Sequence, residues 1–326
     1  MKIVVFDDYQ NIFRNLDCFP RLHGHEVVVY HDTEKDPARL AERIGDAEVL
    51  LLTQQRTPFP RALAERVSRL KLISQTGRNT SHIDVDACTE HGIAVSAKGA
   101  GTPNPTAELT WGLILSALRH IPQEVQRLKE GRWQTTIGTG LSGRTLGIYA
   151  FGRIGSIVAR VGHAFGMKVV CWGRDGSTAR ARDAGFDVAS SRQAFFETAD
   201  VLCLHLPLNQ ETRGIVTADD LAHMKPTALI VNTSRAPIIA AGALVAALKN
   251  GRPGFAAIDV YEDEPVLHGN HPLLQMDNVI CTPHLGYVEK NTYENYFGSA
   301  IDQILAFAAG KPTNVLNPDA LVSRQA

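Results

Sequence analysis

The stretch "TLGIYAFGRIGSIVARV", residues 145–161, opens with the apolar run of a buried strand and closes with the spacing of an amphipathic helix. Between the two stands Gly152-x-x-Gly155, where a dinucleotide fingerprint would read Gly-x-Gly-x-x-Gly, with Ala150 in place of the first glycine. In that fingerprint the first glycine makes the tight turn, the second lets backbone approach a pyrophosphate, and the third lets helix pack on strand. Alanine serves at a turn of negative φ, whereas positive φ would strain it by roughly 1 kcal/mol or more. The sequence therefore predicts negative φ at Ala150 and a retained loop. A phosphate would meet the N–H groups at the helix start, from Arg153 onward.

Working outward, strand-like runs alternate with helical patterns on both sides. After the loop come "KVVCW" (168–172), "DVLCLHL" (200–206), "ALIVNTS" (228–234), "GFAAIDV" (254–260) and "NVICTPH" (278–284), making six strands with the first. That rhythm is the doubly wound dinucleotide-binding sheet, whose ligands sit beyond the carboxyl ends of the strands. Before the loop, "KIVVF" (2–6), "EVVVY" (26–30), "AEVLLLT" (47–53) and "LKLISQT" (70–76) form a smaller α/β series, with "RALAERVSRL" (61–70) spaced as an amphipathic helix. The Gly- and Pro-rich "AKGAGTPNPT" (97–106) is the expected crossing between domains. From Ala107 to about Lys129 one long helix is expected, apolar nearly all round in its first half. That suggests burial between domains or subunits, and so a dimer.

Bulk properties exclude several classes. A chain of 326 residues is expected to hold two domains, and a formal charge of -1 leaves no basic footprint for nucleic acid. The longest apolar run, near "WGLILSAL" (111–118), is well short of the roughly 18 residues that a membrane span needs. The opening "MKIVVFDDYQ" turns acidic and reads as a first strand, not a leader. Five scattered cysteines, without a C-x-x-C, suit buried reduced thiols in a cytoplasmic protein. No histidine spacing suggests a metal site.

The second sheet strand of such a fold usually ends in an acid that binds the ribose of NAD. Here "KVVCWGRDG" gives Gly173 and then Arg174, a guanidinium suited to a phosphate, which favours NADP. Asp175 one residue later could turn back to a ribose, and Arg174 could equally be a solvated loop residue.

The last three strands are followed by Arg235, by Asp259 and Glu264, and by His284. In a parallel sheet these come out at the edge that carries the glycine loop. Moving hydride to or from a carbon beside a carboxylate needs a proton-transfer group, a cation for the carboxylate and a nicotinamide face. Histidine titrates near neutrality and suits the first task, and the arginine fork suits the second. A carboxylate such as Glu264 on the far ring nitrogen would orient the imidazole and stabilise its cation. Each residue also has an ordinary use: Arg235 in an ion pair, Glu264 in a turn or cap, His284 as one structural histidine among 12. Their joint placement distinguishes the readings. His205, at another strand end without an obvious acidic partner, reads as a structural or phosphate-side loop residue.

With these residues in view the chain resembles the D-isomer-specific 2-hydroxyacid dehydrogenases. The likeness rests on "LKLISQTGRNTSHIDVDAC", "TAELTWGLILSALR", "LGIYAFGRIG", "LHLPLNQETRGIV", "MKPTALIVNTSRAPII", "AAIDVYEDEP" and "HPLLQMDNVICTPHLG", in the family's order. The resemblance implies two doubly wound α/β domains: a Rossmann NAD(P)-binding domain at 99–287, and a smaller flavodoxin-like substrate domain made of 1–98 and 288–326. It implies that Arg235 holds the substrate carboxylate, that His284 is the acid/base and that Glu264 supports it. Gly152, Arg153, Ile154 and Gly155 would meet the pyrophosphate, with Gly173 and Arg174 at the adenosine end. Thr233, Ser234 and Asp259 would lie on the nicotinamide side, and Leu206 and Gly286 would also bind the cofactor. Gly77, Arg78 and Asn79 would offer N–H groups to substrate, and domain closure would exclude water.

Four departures from the family pattern stand out: Ala150, Gly173, Asn79 and Tyr287, the last where a small residue is common. The resulting expectation is an NAD(P)-dependent, NADP-leaning enzyme of a small D-2-hydroxyacid or 2-oxoacid, homodimeric and cytoplasmic. Two alternatives share the fold: a cofactor-sensing interaction protein similar to the C-terminal-binding corepressors, and a formate or phosphite dehydrogenase.

Overall fold

The computed structural model describes residues 1–99 and 101–322. The chain divides into two compact units, one of Met1–Thr102 with the chain from Glu289 onward, the other of Pro103–Val288.

In the first unit, β1 (Lys2–Val5), β2 (Glu26–Val29), β3 (Val49–Leu52), β4 (Leu72–Thr76) and β5 (Ala94–Lys98) form a parallel sheet ordered β2-β1-β3-β4-β5. This is the flavodoxin-like doubly wound order. β3 reads Val-Leu-Leu-Leu and every residue is buried, as a parallel strand covered on both faces requires. Helix Lys290–Ala308 is anchored on β4, where the Ser74 hydroxyl donates to Ala300 O at 2.9 Å. β5, Ala-Val-Ser-Ala-Lys, was not among the apolar runs picked out above, because a buried serine interrupts it: Ser96 donates its hydroxyl to Thr313 O at 3.0 Å. The helix expected over 61–70 is only Arg61–Ala64. Beyond it, i→i−3 bonds from Arg66 and Leu70 continue the chain as turns, and these bury Leu63, Val67 and Leu70 as well as a helix would.

In the second unit, β6 (Thr145–Tyr149), β7 (Lys168–Trp172), β8 (Asp187–Val188), β9 (Val201–Leu204), β10 (Leu229–Asn232), β11 (Phe255–Ile258) and β12 (Val279–Cys281) are ordered β12-β11-β10-β9-β6-β7-β8. The seventh strand, β8, has two residues and too little sequence to show a period. The order reverses between β6 and β9, so the loops after these two strands flank the switch-point crevice. Helix Arg153–Ala164 leaves β6 and buries Gly155, Val158, Ala159 and Gly162.

Two expectations fail in this unit. Ala150 has φ of 75°, not a negative value. Its N–H donates to Trp172 O at 2.8 Å and its carbonyl accepts from Gly152 N at 2.9 Å, so the peptides on both sides are fixed and the turn stays left-handed. The single long helix is two, Asn104–Leu118 and Ile121–Lys129, with His120 left-handed at φ 52° between them. Pro122 is the cause: it lacks the N–H that would reach Leu118 O, and that carbonyl accepts from Thr139 N instead, at 2.7 Å. The all-round apolar first helix is absorbed by its own unit, Trp111, Ile114 and Leu118 packing with Leu146, Ile148 and Val158. The exposed apolar side chains fall further on, at Ile121, Val125, Leu128, Trp133 and Ile137.

A Cβ on Gly155 would lie 2.5 Å from Ala150 O, inside contact distance of backbone. Gly155→Ala is therefore expected to cost about 1–3 kcal/mol of unfolding free energy, while Ala150→Gly relieves its turn and costs nothing. Denaturant melts of the two variants check this.

Candidate active site

The loop after β6 is built to receive an anion. A Cβ on Gly152 would meet nothing within 4 Å, so the absent side chain leaves an open cradle over the helix start. Helix Arg153–Ala164 has no side-chain cap, which keeps its first N–H groups available. A cleft of about 600 Å³ borders Gly152 and is lined by Arg153, Ser156 and Arg180 among others. These residues fit a dinucleotide pyrophosphate. Ser177 braces the loop by accepting Phe151 N–H at 2.6 Å. A Cβ on Gly173 would come within 3.0 Å of that Ser177 hydroxyl, which explains why glycine stands at the tip of β7. Arg174 points outward, largely exposed and paired with Glu211 at 2.9 Å.

His205, at the end of β9, belongs to the same wall. Its Cδ2 lies 3.4 Å from the Cβ position of Gly155, and its buried Nε2 has no hydrogen-bond partner among the described residues. Burial lowers its pKa to about 4, so the ring is a neutral structural group.

The three parallel strands β10, β11 and β12 deliver the polar groups at one edge. At the end of β10, Asn232 shapes the turn: its Oδ1 accepts Ser234 N–H and its Nδ2 donates to Arg235 O, both at 3.0 Å. Arg235 follows with its Nη1 donating to Ser234 O at 2.7 Å. After β11, Tyr261 N–H donates to Glu264 Oε1 at 3.0 Å. After β12, His284 adopts φ of 54°, an unusual backbone for a non-glycine residue, and puts Nδ1 2.6 Å from Glu264 Oε2. Both side chains of this pair are mostly buried, which strengthens the contact over an exposed one.

Asp259 was expected on the nicotinamide side, but it is fully buried beneath the His284 loop. Its Oδ1 accepts from the Thr282 hydroxyl at 2.6 Å and from Leu285 N–H at 2.7 Å, and its Oδ2 accepts Gly286 N–H at 2.9 Å. Burial raises its pKa, and these donors pull it back. Thr233 and Ser234 likewise spend their hydroxyls internally. Thr233 shares a hydrogen bond with Thr110 at 2.9 Å, and Ser234 donates to Leu206 O, joining the loops after β9 and β10. In the first unit Gly77, Arg78 and Asn79 follow β4, but the Gly77 N–H donates to Lys98 O at 3.1 Å and is not available to a ligand. The Asn79 side chain accepts Ser81 N–H at 3.0 Å.

The supporting residues Asn232, Ser177, Tyr261 and Thr282 were not singled out from the sequence. Only Asn232 carried a local signal, an asparagine two residues before the N–H it holds.

The fold and this site define a nicotinamide-dependent oxidoreductase. Residues 111–286 match the family profile described as "D-isomer specific 2-hydroxyacid dehydrogenase, NAD binding domain". A glyoxylate reductase of Aeropyrum pernix is 36% identical over 293 residues, 87% of this chain and 86% of the relative. A D-3-phosphoglycerate dehydrogenase of Methanocaldococcus jannaschii is 39% identical over 249 residues, 76% of this chain; the match spans 47% of that relative, about half its length. Among solved structures, an oxidoreductase from Ralstonia solanacearum superposes with a TM-score of 0.94 at 51% identity, covering 98% of each chain. A phosphoglycerate oxidoreductase from Vibrio cholerae gives 0.91 at 48%, covering 95% of this chain and 99% of that one. The chain belongs to the D-isomer-specific 2-hydroxyacid dehydrogenase family and is an NAD(P)-dependent enzyme of that class. Among the described residues no helix is long and apolar enough to cross a membrane.

Unfolded, His205 takes up a proton near its ordinary value of 6.5; folded, it does so only near 4. Stability is thus lost as pH falls across that interval, by about 1–3 kcal/mol for this group. His205→Leu is expected to flatten the decline, whatever its own stability, in melts run at pH values between those limits.

Proposed function

We propose that the protein interconverts a small 2-oxoacid and its D-2-hydroxyacid, with His284 as acid/base and Arg235 as the carboxylate clamp. The observation that carries this is the 2.6 Å contact from Glu264 Oε2 to His284 Nδ1. With Nδ1 held, Nε2 is the nitrogen left to exchange a proton with substrate oxygen. In the reducing direction Nε2 gives its proton to the carbonyl oxygen of the 2-oxoacid as C2 takes the hydride and becomes the hydroxyl-bearing carbon; in reverse it takes the hydroxyl proton. Glu264 stabilises the imidazolium of the proton-loaded state and fixes the ring. Arg235 neutralises the carboxylate next to C2 and polarises the carbonyl. The nicotinamide, when bound, supplies or accepts the hydride. Arg153, Ile154 and the glycine loop would hold its pyrophosphate, with Leu206, Ser234 and Gly286 along the nicotinamide side.

The relatives named glyoxylate reductase support a short 2-oxoacid as substrate. NADP(H) is the preferred cofactor in this reading: no acid stands at the tip of β7, and the exposed Arg174–Glu211 pair is weak enough for a 2′-phosphate to displace the carboxylate. A homodimer is the working form. Ile121, Val125 and Leu128 form one exposed apolar stripe at helical spacing, and Trp133 and Ile137 are exposed in the chain that follows the helix, which suits a second copy of the chain. Five unpaired cysteines suit the cytoplasm.

Turnover is expected to fall by roughly 10²–10⁴ in His284→Ala with cofactor affinity retained; steady-state rates beside a fluorescence titration of NADPH test this, and near-normal turnover would refute it. Arg174→Ala is expected to weaken NADPH binding by about tenfold and leave NADH nearly unchanged, an ion pair to phosphate being worth about 1.4 kcal/mol or more. Dissociation constants for both cofactors on wild type and variant decide it.

A further inference from the structure

Tyr287 stands three residues after His284, and its ring meets the imidazole edge to face, centroids 5.6 Å apart and planes at 77°. The backbone fixes that stance. Leu285 and Gly286 both donate their N–H groups to Asp259, and Val288 N–H closes a turn onto Leu285 O at 2.9 Å. Tyr287 is therefore held inside a clamped turn and is not a side chain on a loose loop. Its ring is half-buried, so it fills space next to the imidazole.

Because Glu264 occupies Nδ1, a substrate oxygen reaches Nε2, about 3 Å from it. The carbons beyond C2 then extend within a few ångströms of the imidazole, at the same range as the tyrosine ring. A rigid aromatic wall there discriminates by size, since a clamped ring has little room to give way.

We propose that Tyr287 sets the size limit of the substrate: its ring favours 2-oxoacids with little or nothing beyond C3 and excludes branched or long ones. The proposal rests on the reading of His284 as the acid/base, and it assigns Tyr287 a specificity role with no part in proton transfer.

The test compares kcat/KM for glyoxylate, pyruvate and 4-methyl-2-oxopentanoate, at saturating NADPH, in wild type, Tyr287→Ala, Tyr287→Leu and Tyr287→Phe. The ratio of branched to short substrate is read on each preparation, so the active fraction cancels. The ratio is expected to rise about tenfold or more in Tyr287→Ala, less in Tyr287→Leu, and to stay near wild type in Tyr287→Phe, which keeps the ring. An unchanged ratio in the alanine and leucine variants, or a uniform loss on all three acids, would overturn the proposal. A uniform loss would make Tyr287 a positioning residue for the imidazole. Failure of the acid/base reading shows separately, as turnover that survives removal of His284.

Discussion

In the proposed reaction the contact on which the chemistry turns is the carboxylate of Glu264 against Nδ1 of His284. A free imidazole offers two similar nitrogens and rotates; one held at 2.6 Å offers a single nitrogen in a single direction. Much of the second unit can be understood as what keeps that contact in place. Glu264 is tied back to Tyr261 N–H, and the Tyr261 hydroxyl donates to Thr282 O at 3.0 Å, linking the loops after β11 and β12. Buried Asp259 gathers Thr282, Leu285 and Gly286, fixing the backbone on both sides of the histidine. A carboxylate inside a protein is costly unless its oxygens are satisfied, and here every donor comes from the loop it organises. The left-handed φ at His284 persists because this clamp over-determines it.

Parallel register is the second constraint. β10, β11 and β12 pair in step, so residues just past their ends emerge side by side although they lie far apart in sequence. The same logic puts the glycine loop after β6 and His205 after β9 on the two sides of the switch point. The position of Arg235, Glu264 and His284 just past three strand ends was legible for this reason: strand patterns can be counted, and polar groups at their ends inherit a common edge. Their supports were not legible, because Asp259 beneath a loop and Asp259 facing a ligand look alike in sequence. Burial is a property of the packed loop and cannot be read from the residue type.

The misjudged places have particular causes. Ala150 looked like a residue of negative φ because alanine disfavours the alternative, yet its N–H donating to Trp172 O and its carbonyl accepting from Gly152 N–H hold the turn left-handed. Its neighbour Gly173 contributes to the same arrangement: a Cβ there would sit 3.6 Å from Ala150 Cα, so two departures from the expected pattern touch each other. The long helix broke at a proline that stood in plain view, since Pro122 follows an apolar run whose periodicity continues past it. The apolar character of helix Asn104–Leu118 suggested a partner but serves its own unit's core, and the exposed apolar side chains lie one helix later. β8 and β5 escaped notice for different reasons, one being two residues long and the other having its short apolar run broken by the buried Ser96.

The most direct test of the central contact is nitrogen NMR of protein with isotope-labelled histidine, read on the neutral ring. The account predicts that neutral His284 carries its proton on Nδ1, donated to Glu264, with Nε2 bare, and that Glu264→Gln disturbs this resonance. A neutral ring protonated at Nε2, unaffected by that substitution, would contradict it.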